Sequence, residues 1–87
     1  MIDEDALKKW VEDNPLRKFK AKNRITNRRM AATLNCAVVS ITMWERGLTQ
    51  PRRESFATIA KAMLLQPSKL EQAWASWMGR KPREKAA

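Results

Sequence analysis

Residues 26–47 read TNRRMAATLNCAVVSITMWERG, and this pattern predicts two short helices joined by a tight turn. Apolar side chains recur at helical spacing on one face of each helix. They are Met30, Ala31 and Leu34 in the first helix and Ile41 and Trp44 in the second. Asn35 lies between the helices, and asparagine is the residue after glycine that most readily adopts the left-handed backbone that ends a helix. This is the layout of a helix-turn-helix, which presents its second helix to a DNA groove.

The composition of the 87-residue chain predicts a single all-α domain. Hydrophobic residues make up 44% of the chain, which excludes a wholly disordered protein. There are two glycines, and β-branched residues alternate only briefly, over 38–42. The apolar spacing predicts six helices, over 3–13, 15–23, 27–34, 38–46, 52–64 and 67–78. We expect an acidic N-terminal helix in 1–14, a helical domain in 15–79 and a basic tail in 80–87.

Residues with strong positional preferences mark most of the predicted helix ends. Asn14 and Thr26 are good N-caps, whereas Ala37 has no side-chain acceptor with which to cap the fourth helix. Gly47 is expected to end the fourth helix in the left-handed conformation, and Gly79 to terminate the sixth. Prolines favour the start of a helix and are expected to open three of them: Pro15, Pro51 and Pro67.

The charge of the chain is large and unevenly distributed. Eighteen Lys and Arg against nine Asp and Glu give a net charge of +9 and a pI near 10.5. Residues 1–14 hold five acids and two lysines, a net of −3, so residues 15–87 carry +12. A basic body of this size indicates a polyanionic partner such as nucleic acid, although a soluble basic protein without such a partner is the alternative.

The first helix carries a narrow apolar stripe, and the last carries two tryptophans. Leu7, Trp10 and Val11 lie at i, i+3 and i+4, and we expect them to pack on the bundle rather than bind a partner. Leu70, Ala73, Trp74 and Trp77 share one face of the sixth helix.

The sequence argues against an enzyme, a metal site and a membrane protein. There is no histidine, and the lone Cys36 has neither a nearby base nor metal-ligand spacing. We therefore expect no catalysis, no metal and no cofactor. A single cysteine cannot form an intramolecular disulfide, the acidic N-terminus does not suit a signal peptide, and no apolar run approaches the ~18 residues of a membrane span. We expect a cytoplasmic, nucleoid-associated protein.

Residues 26–70 resemble the helix-turn-helix domain of the phage repressor and Cro class, the XRE-type family. The most specific part is Trp44–Gly47, WERG, with Pro51 four residues beyond the glycine. The other matching positions are Ile25, Met30, Ala31, Leu34, Asn35, Cys36, Ile41, Ile59, Ala60, Met63 and Leu70. The resemblance implies a compact five-helix bundle of the lambda-repressor-like type, here with an additional N-terminal helix. It also implies a sequence-specific regulator, commonly a repressor, that binds double-stranded DNA as a homodimer.

The outward face of the fourth helix is unusual for this family. If Ile41 points into the core, ~100° per residue places Val39 and Met43 furthest from it. The resemblance implies that Val38, Val39 and Met43 read bases and that Asn27 contacts a backbone phosphate or a base edge. Thr42 lies alongside them on the helix and is expected, with Asn27, to contribute to base reading. The three apolar members cannot form hydrogen bonds, so they would contact thymine methyl groups or dock on a protein, as in an antitoxin- or adaptor-like module. Burial beneath the N-terminal helix is a third alternative.

Polar and basic residues around this face are expected to contact DNA phosphates. They are Thr26, Arg28, Arg29, Ser40, Arg46, Arg52 and Arg53. Thr26 begins a helix whose free N–H groups suit a phosphate, although it could act as a cap alone. Arg52 and Arg53 fall in the predicted first turn of the fifth helix, where positive charge is mildly unfavourable, which suggests another use for them. A solvated basic face is the alternative.

The resemblance implies two further contacts. The acid equivalent to Glu45 pairs in this family with a base on the first bundle helix, and the matching residue here is Lys20 rather than the more usual arginine. Lysine lacks the bidentate geometry of arginine, so we expect a weaker pair, or an exposed Glu45. The last helix often supplies the dimer contact. We therefore expect a homodimer formed through the helix of Trp74 and Trp77, with Trp77 partly exposed.

Overall fold

The computed structural model describes residues 3–82, which form six α-helices and, within that range, no β-strand. The helices are α1 (Glu4–Glu12), α2 (Pro15–Asn23), α3 (Asn27–Leu34), α4 (Val38–Glu45), α5 (Arg53–Ala62) and α6 (Pro67–Gly79). The all-α prediction is confirmed. Most of the predicted basic tail, residues 83–87, lies outside the described residues, as do residues 1 and 2.

Side-chain caps begin the first three helices. Asn14 Oδ1 accepts hydrogen bonds from two N–H groups of α2, and Thr26 Oγ1 accepts one from α3, as predicted. Asp3 does the same for α1. Ala37 makes no side-chain cap for α4, also as predicted. Asn35 ends α3 with φ 54° and ψ 50°, which confirms the left-handed turn between the helices of the motif.

Six of the twelve predicted helix ends are wrong by one or two residues: both ends of α1, the end of α4, both ends of α5 and the end of α6. Arg52 is not in the first turn of α5 but occupies its N-cap position in an extended conformation, with φ −71° and ψ 164°, and its side chain makes no capping hydrogen bond. The last two residues of the predicted span, 63 and 64, follow the end of α5, and Leu64 has φ 59°. Gly79 does not stop α6 but is its last residue. Local preference did not decide this end, because the backbone near the end of α6 is held by contacts with α1.

Twelve buried apolar side chains form one core that spans all six helices. They are Trp10, Leu16, Met30, Ala31, Leu34, Ile41, Phe56, Ile59, Ala60, Leu70, Trp74 and Trp77. Leu7 and Val11 pack against this core as predicted, whereas Ala73, which shares a face of α6 with Leu70, Trp74 and Trp77, is exposed. The rings of Phe56 and Trp77 lie edge-on to Trp74, at 5.5 and 5.6 Å between centroids.

A pair of tryptophans joins the first helix to the last. The rings of Trp10 and Trp77 stack with centroids 4.1 Å apart and planes 1° from parallel. Trp10 Nε1 donates to the carbonyl of Trp77, and Trp77 Nε1 donates to the carbonyl of Trp10, both at 2.6 Å. The expectation that Trp77 is partly exposed is wrong, because α1 covers it completely.

Gly47 lies against the indole ring of Trp10, where a larger residue would not fit. It ends the α4 segment with φ 69°, the left-handed conformation that the sequence predicts. A Cβ atom at this position would lie 2.5 Å from Cη2 of Trp10. The glycine is therefore required for two independent reasons, its backbone conformation and the close approach of the indole ring.

Candidate nucleic-acid interface

The contact between α3 and α4 sets the direction in which α4 faces solvent. Ala31 and Ile41 are buried, and the Cys36 N–H donates to the carbonyl of Ala31 across the turn. Because Ile41 is fully buried, the opposite side of α4 must point outward. Cys36 itself is half-buried against the core, and burial raises the pKa of its thiol, which keeps the side chain neutral.

The first turn of α4 exposes apolar surface. Val38 is 43% exposed and Val39 is 61% exposed. Burial beneath the N-terminal helix is therefore wrong for these two residues. Met43 is half-buried and lies outside the core cluster. We call Val38, Val39 and Met43 the apolar face of α4.

The polar neighbours of the apolar face add little capacity for hydrogen-bond donation. Thr42 Oγ1 donates its proton to the carbonyl of Val38 at 3.3 Å, so its oxygen keeps only acceptor capacity. Ala37, which precedes the helix, is exposed and apolar. Ser40 is half-buried on the flank of α4.

Beside this face, a buried ion pair connects α2 to α4. Lys20 Nζ donates to Glu45 Oε1 at 2.6 Å, and the two side chains are only 8% and 4% exposed. The predicted Lys20–Glu45 pair is confirmed, and the alternative of an exposed Glu45 is wrong. The pair thereby ties the second helix of the motif, α4, to α2.

The same ammonium also orients Asn27, a contact that sequence reasoning missed. Lys20 Nζ donates to Asn27 Oδ1 as well. An ammonium has no acceptor, so it must face the amide oxygen and leaves the NH₂ group of Asn27 as the remaining polar group. A bidentate contact with adenine needs both the oxygen and the NH₂ of asparagine, whereas a phosphate needs only a donor. The geometry therefore favours a phosphate over a base edge as the partner of Asn27.

Five arginines predicted to contact phosphate are exposed. They are Arg28, Arg29, Arg46, Arg52 and Arg53, and Thr26 beside them is exposed as well. Within residues 3–82, none of these guanidinium groups donates to a carboxylate. Their charges are thus uncompensated by contacts among the described residues. Arg53 is in the first turn of α5, as predicted, and Arg52 directly precedes the helix, so both lie near its positive end.

The acid that follows α1 is engaged in two ion pairs. Asp13 pairs with Lys18 at 2.6 Å and with Arg80 at 2.8 Å. The hydrogen bond from Lys18, together with the two positive charges, holds the pKa of Asp13 below its usual value. These contacts tie the end of α1 to α2 and to the end of α6.

Residues 3–82 contain neither a candidate metal centre nor a helix that could span a membrane. This part of the chain contains no group of three or more His, Cys, Asp or Glu side chains placed to hold a metal ion. None of its helices is both long enough and apolar enough to cross a membrane.

Comparison with protein-family models, curated proteins and solved structures finds no match to this chain. The resemblance to the XRE-type family therefore rests on the residues named above and stays a prediction.

Proposed function

We propose that the protein is a sequence-specific regulator of transcription that binds double-stranded DNA and inserts residues 38–46 into the major groove. One observation carries the proposal. The side of α4 opposite the buried Ile41 is open to solvent at Val39, and the five exposed arginines have no carboxylate partner within residues 3–82. An exposed helix on a basic domain suits binding to duplex DNA, which is a polyanion whose bases are reached through a groove.

The proposed role of each residue at the DNA follows from the chemistry of its side chain. The five exposed arginines, Ser40, the Thr26 end of α3 and the Asn27 amide would hold phosphates, which fix affinity and register. Val38, Val39, Thr42 and Met43 would face the bases and fix sequence. We also propose that the helices have the lambda-repressor-like arrangement and that the chain belongs to the XRE-type family. In this proposal the protein acts as a repressor and is associated with the nucleoid in the cytoplasm.

The proposed active form is a homodimer on a near-palindromic site, with half-sites about one helical turn apart. The contact between its subunits must use surface other than the indole of Trp77, because that ring is buried within the monomer. Other residues of α6 are exposed, among them Ala73 and Ser76.

A protein-interaction module is the second candidate, and the exposure of Val38 and Val39 favours it. In this alternative the apolar face of α4 would dock on a partner protein, as in an antitoxin or an adaptor. The net charge of +12 on residues 15–87 supports the DNA proposal over this one, because docking of an apolar face does not require that charge.

Selection from random duplexes at physiological salt tests the proposal. We expect enrichment of a defined sequence, and a fall in affinity of ~10³ between 50 and 200 mM salt if about six phosphates are contacted. Arg53→Ala should weaken binding to all duplexes alike and reduce the salt slope by about one unit. Val39→Ala should weaken the enriched sequence selectively. A mass measurement on the free protein tests the homodimer.

The matched control is Lys61→Ala. Lys61 is exposed in the last turn of α5, about 12 Å along the helix axis from Arg53, so the variant removes the same charge outside the proposed interface. Equal affinity for every duplex would indicate a nonspecific nucleoid protein instead. If Arg53→Ala and Val39→Ala both leave duplex binding unchanged, the DNA proposal is wrong. If a protein partner still co-purifies after nuclease treatment, the second candidate is supported.

A further inference from the structure

The outward side of α4 has almost no means of reading hydrogen-bond patterns. Val38, Val39 and Met43 have no hydrogen-bonding side-chain groups, and Ala37 before them is apolar too. The Thr42 hydroxyl proton is already donated to the helix backbone. Lys20 occupies the oxygen of Asn27, as described above. Among residues 3–82, Arg46, which follows α4, is the one exposed arginine on this side, and the proposed function assigns it to a phosphate. Apart from Arg46, the pairings that usually distinguish guanine and adenine, with arginine or with an amide, are absent from this face.

One apolar group in the major groove does identify a base, the methyl on C5 of thymine. Cytosine presents a hydrogen at that position, and 5-methylcytosine presents the same methyl as thymine. Contact with a valine or methionine side chain removes such a methyl from water, and this stabilises the complex whichever pyrimidine carries the methyl. The chemistry of the apolar face thus distinguishes methylated from unmethylated C5 rather than one base from another.

Charge indicates that a duplex rather than an apolar protein surface covers this face. The apolar face of α4 consists of only three residues. Arg28, Arg29 and Arg53 are exposed without carboxylate partners within residues 3–82. A duplex would supply phosphates to these arginines while placing the groove floor against α4. An apolar partner surface would leave the arginines uncompensated.

We propose that Val38, Val39 and Met43 recognise the C5-methyl groups of pyrimidines in duplex DNA, both thymine and 5-methylcytosine. The proposal rests on the proposed function and names the ligand chemistry of the same site. Burial of one methyl is worth about fourfold in affinity. Two or three methyls beneath one α4 helix therefore predict a loss of roughly 15- to 60-fold when those methyls are removed.

Three pools of duplexes with the same random sequences test the proposal. The first is copied with thymidine triphosphate, the second with deoxyuridine triphosphate, and the third with deoxyuridine and 5-methyldeoxycytidine triphosphates. Uracil keeps the hydrogen-bonding groups of thymine and lacks only the methyl. Sequences enriched from the first pool should bind roughly 15- to 60-fold more weakly when copied with uracil. Tight binders should reappear in the third pool, with 5-methylcytosine in the recognised positions.

Two variants separate a direct methyl contact from an effect of uracil on DNA stiffness. Val39→Ala should lower the thymine-to-uracil affinity ratio by several fold, and it should fold normally because Val39 is 61% exposed. Leu64→Ala removes a more exposed apolar side chain, on the α5–α6 turn, and should leave the ratio unchanged.

The outcomes distinguish this proposal from the proposed function. A defined enriched sequence that binds equally well with thymine and with uracil would overturn methyl recognition while leaving specific DNA binding intact. A ratio that Val39→Ala leaves unchanged would overturn it as well. Absence of duplex binding even at low salt would overturn both proposals.

Discussion

Trp10→Ala is expected to lower the free energy of unfolding by about 3–5 kcal/mol, the usual cost of removing a buried aromatic side chain. The substitution removes the stack on Trp77 and leaves the Trp77 carbonyl without its indole donor. It also opens a cavity beside Gly47, whose backbone approaches the Trp10 ring. The free energy of unfolding of a small domain is commonly only about 5–15 kcal/mol, so this loss would remove a large fraction of its stability.

Urea unfolding followed by circular dichroism measures this effect, since a chain of this size commonly unfolds in one transition. Lys9→Ala is the control, because Lys9 is the exposed neighbour of Trp10 in α1 and such substitutions usually cost less than ~0.5 kcal/mol. If Trp10→Ala were no more destabilising than Lys9→Ala, α1 would be an appendage rather than part of the core.

Removing either partner of the Lys20–Glu45 pair is expected to cost about 3–5 kcal/mol. The reason is the charge that remains. Glu45→Ala leaves the ammonium of Lys20 buried with only the Asn27 oxygen as partner, and Lys20→Ala leaves the Glu45 carboxylate buried without a partner. The ion pair itself is worth much less than this, because burial of both charges has its own large desolvation cost.

A double variant, Lys20→Met with Glu45→Leu, separates these two contributions. Chemical denaturation should show that it recovers most of the stability that either alanine variant loses, since no buried charge is left unpaired. Lys22→Ala, an exposed lysine on the same helix, should have little effect. Equal stability of Glu45→Ala and the parent protein would contradict the burial of this pair.

Local chemistry predicted half of the twelve helix ends to the residue and the other half to within two residues. Asn14, Thr26 and Asn35 act through their own side chains or backbone preferences, and each behaves as the sequence indicates. The position of Ile41 was also predictable, because helical spacing within residues 26–47 determines which side of α4 meets α3. Glu45 was paired correctly through the family resemblance, which supplied a partner 25 residues away.

Contacts between distant helices could not be predicted in this way. Trp10 and Trp77 are 67 positions apart, and their spacing along each helix is the same whether the rings face a core or a second subunit. That ambiguity is why Trp77 was wrongly expected to be exposed. The contact of Lys20 with Asn27 escaped prediction for a similar reason, because it depends on how α2 and α3 cross.

The proposed entry of α4 into the groove of duplex DNA is tested most directly by a titration of the isotope-labelled protein with the duplex enriched by selection. The titration is made at physiological salt and followed by amide chemical shifts. We expect the largest changes on residues 26–29 and 37–43, with the indole N–H signals of Trp10 and Trp77 unmoved. Shift changes centred on α1 or α6, with residues 37–43 unaffected, would contradict it.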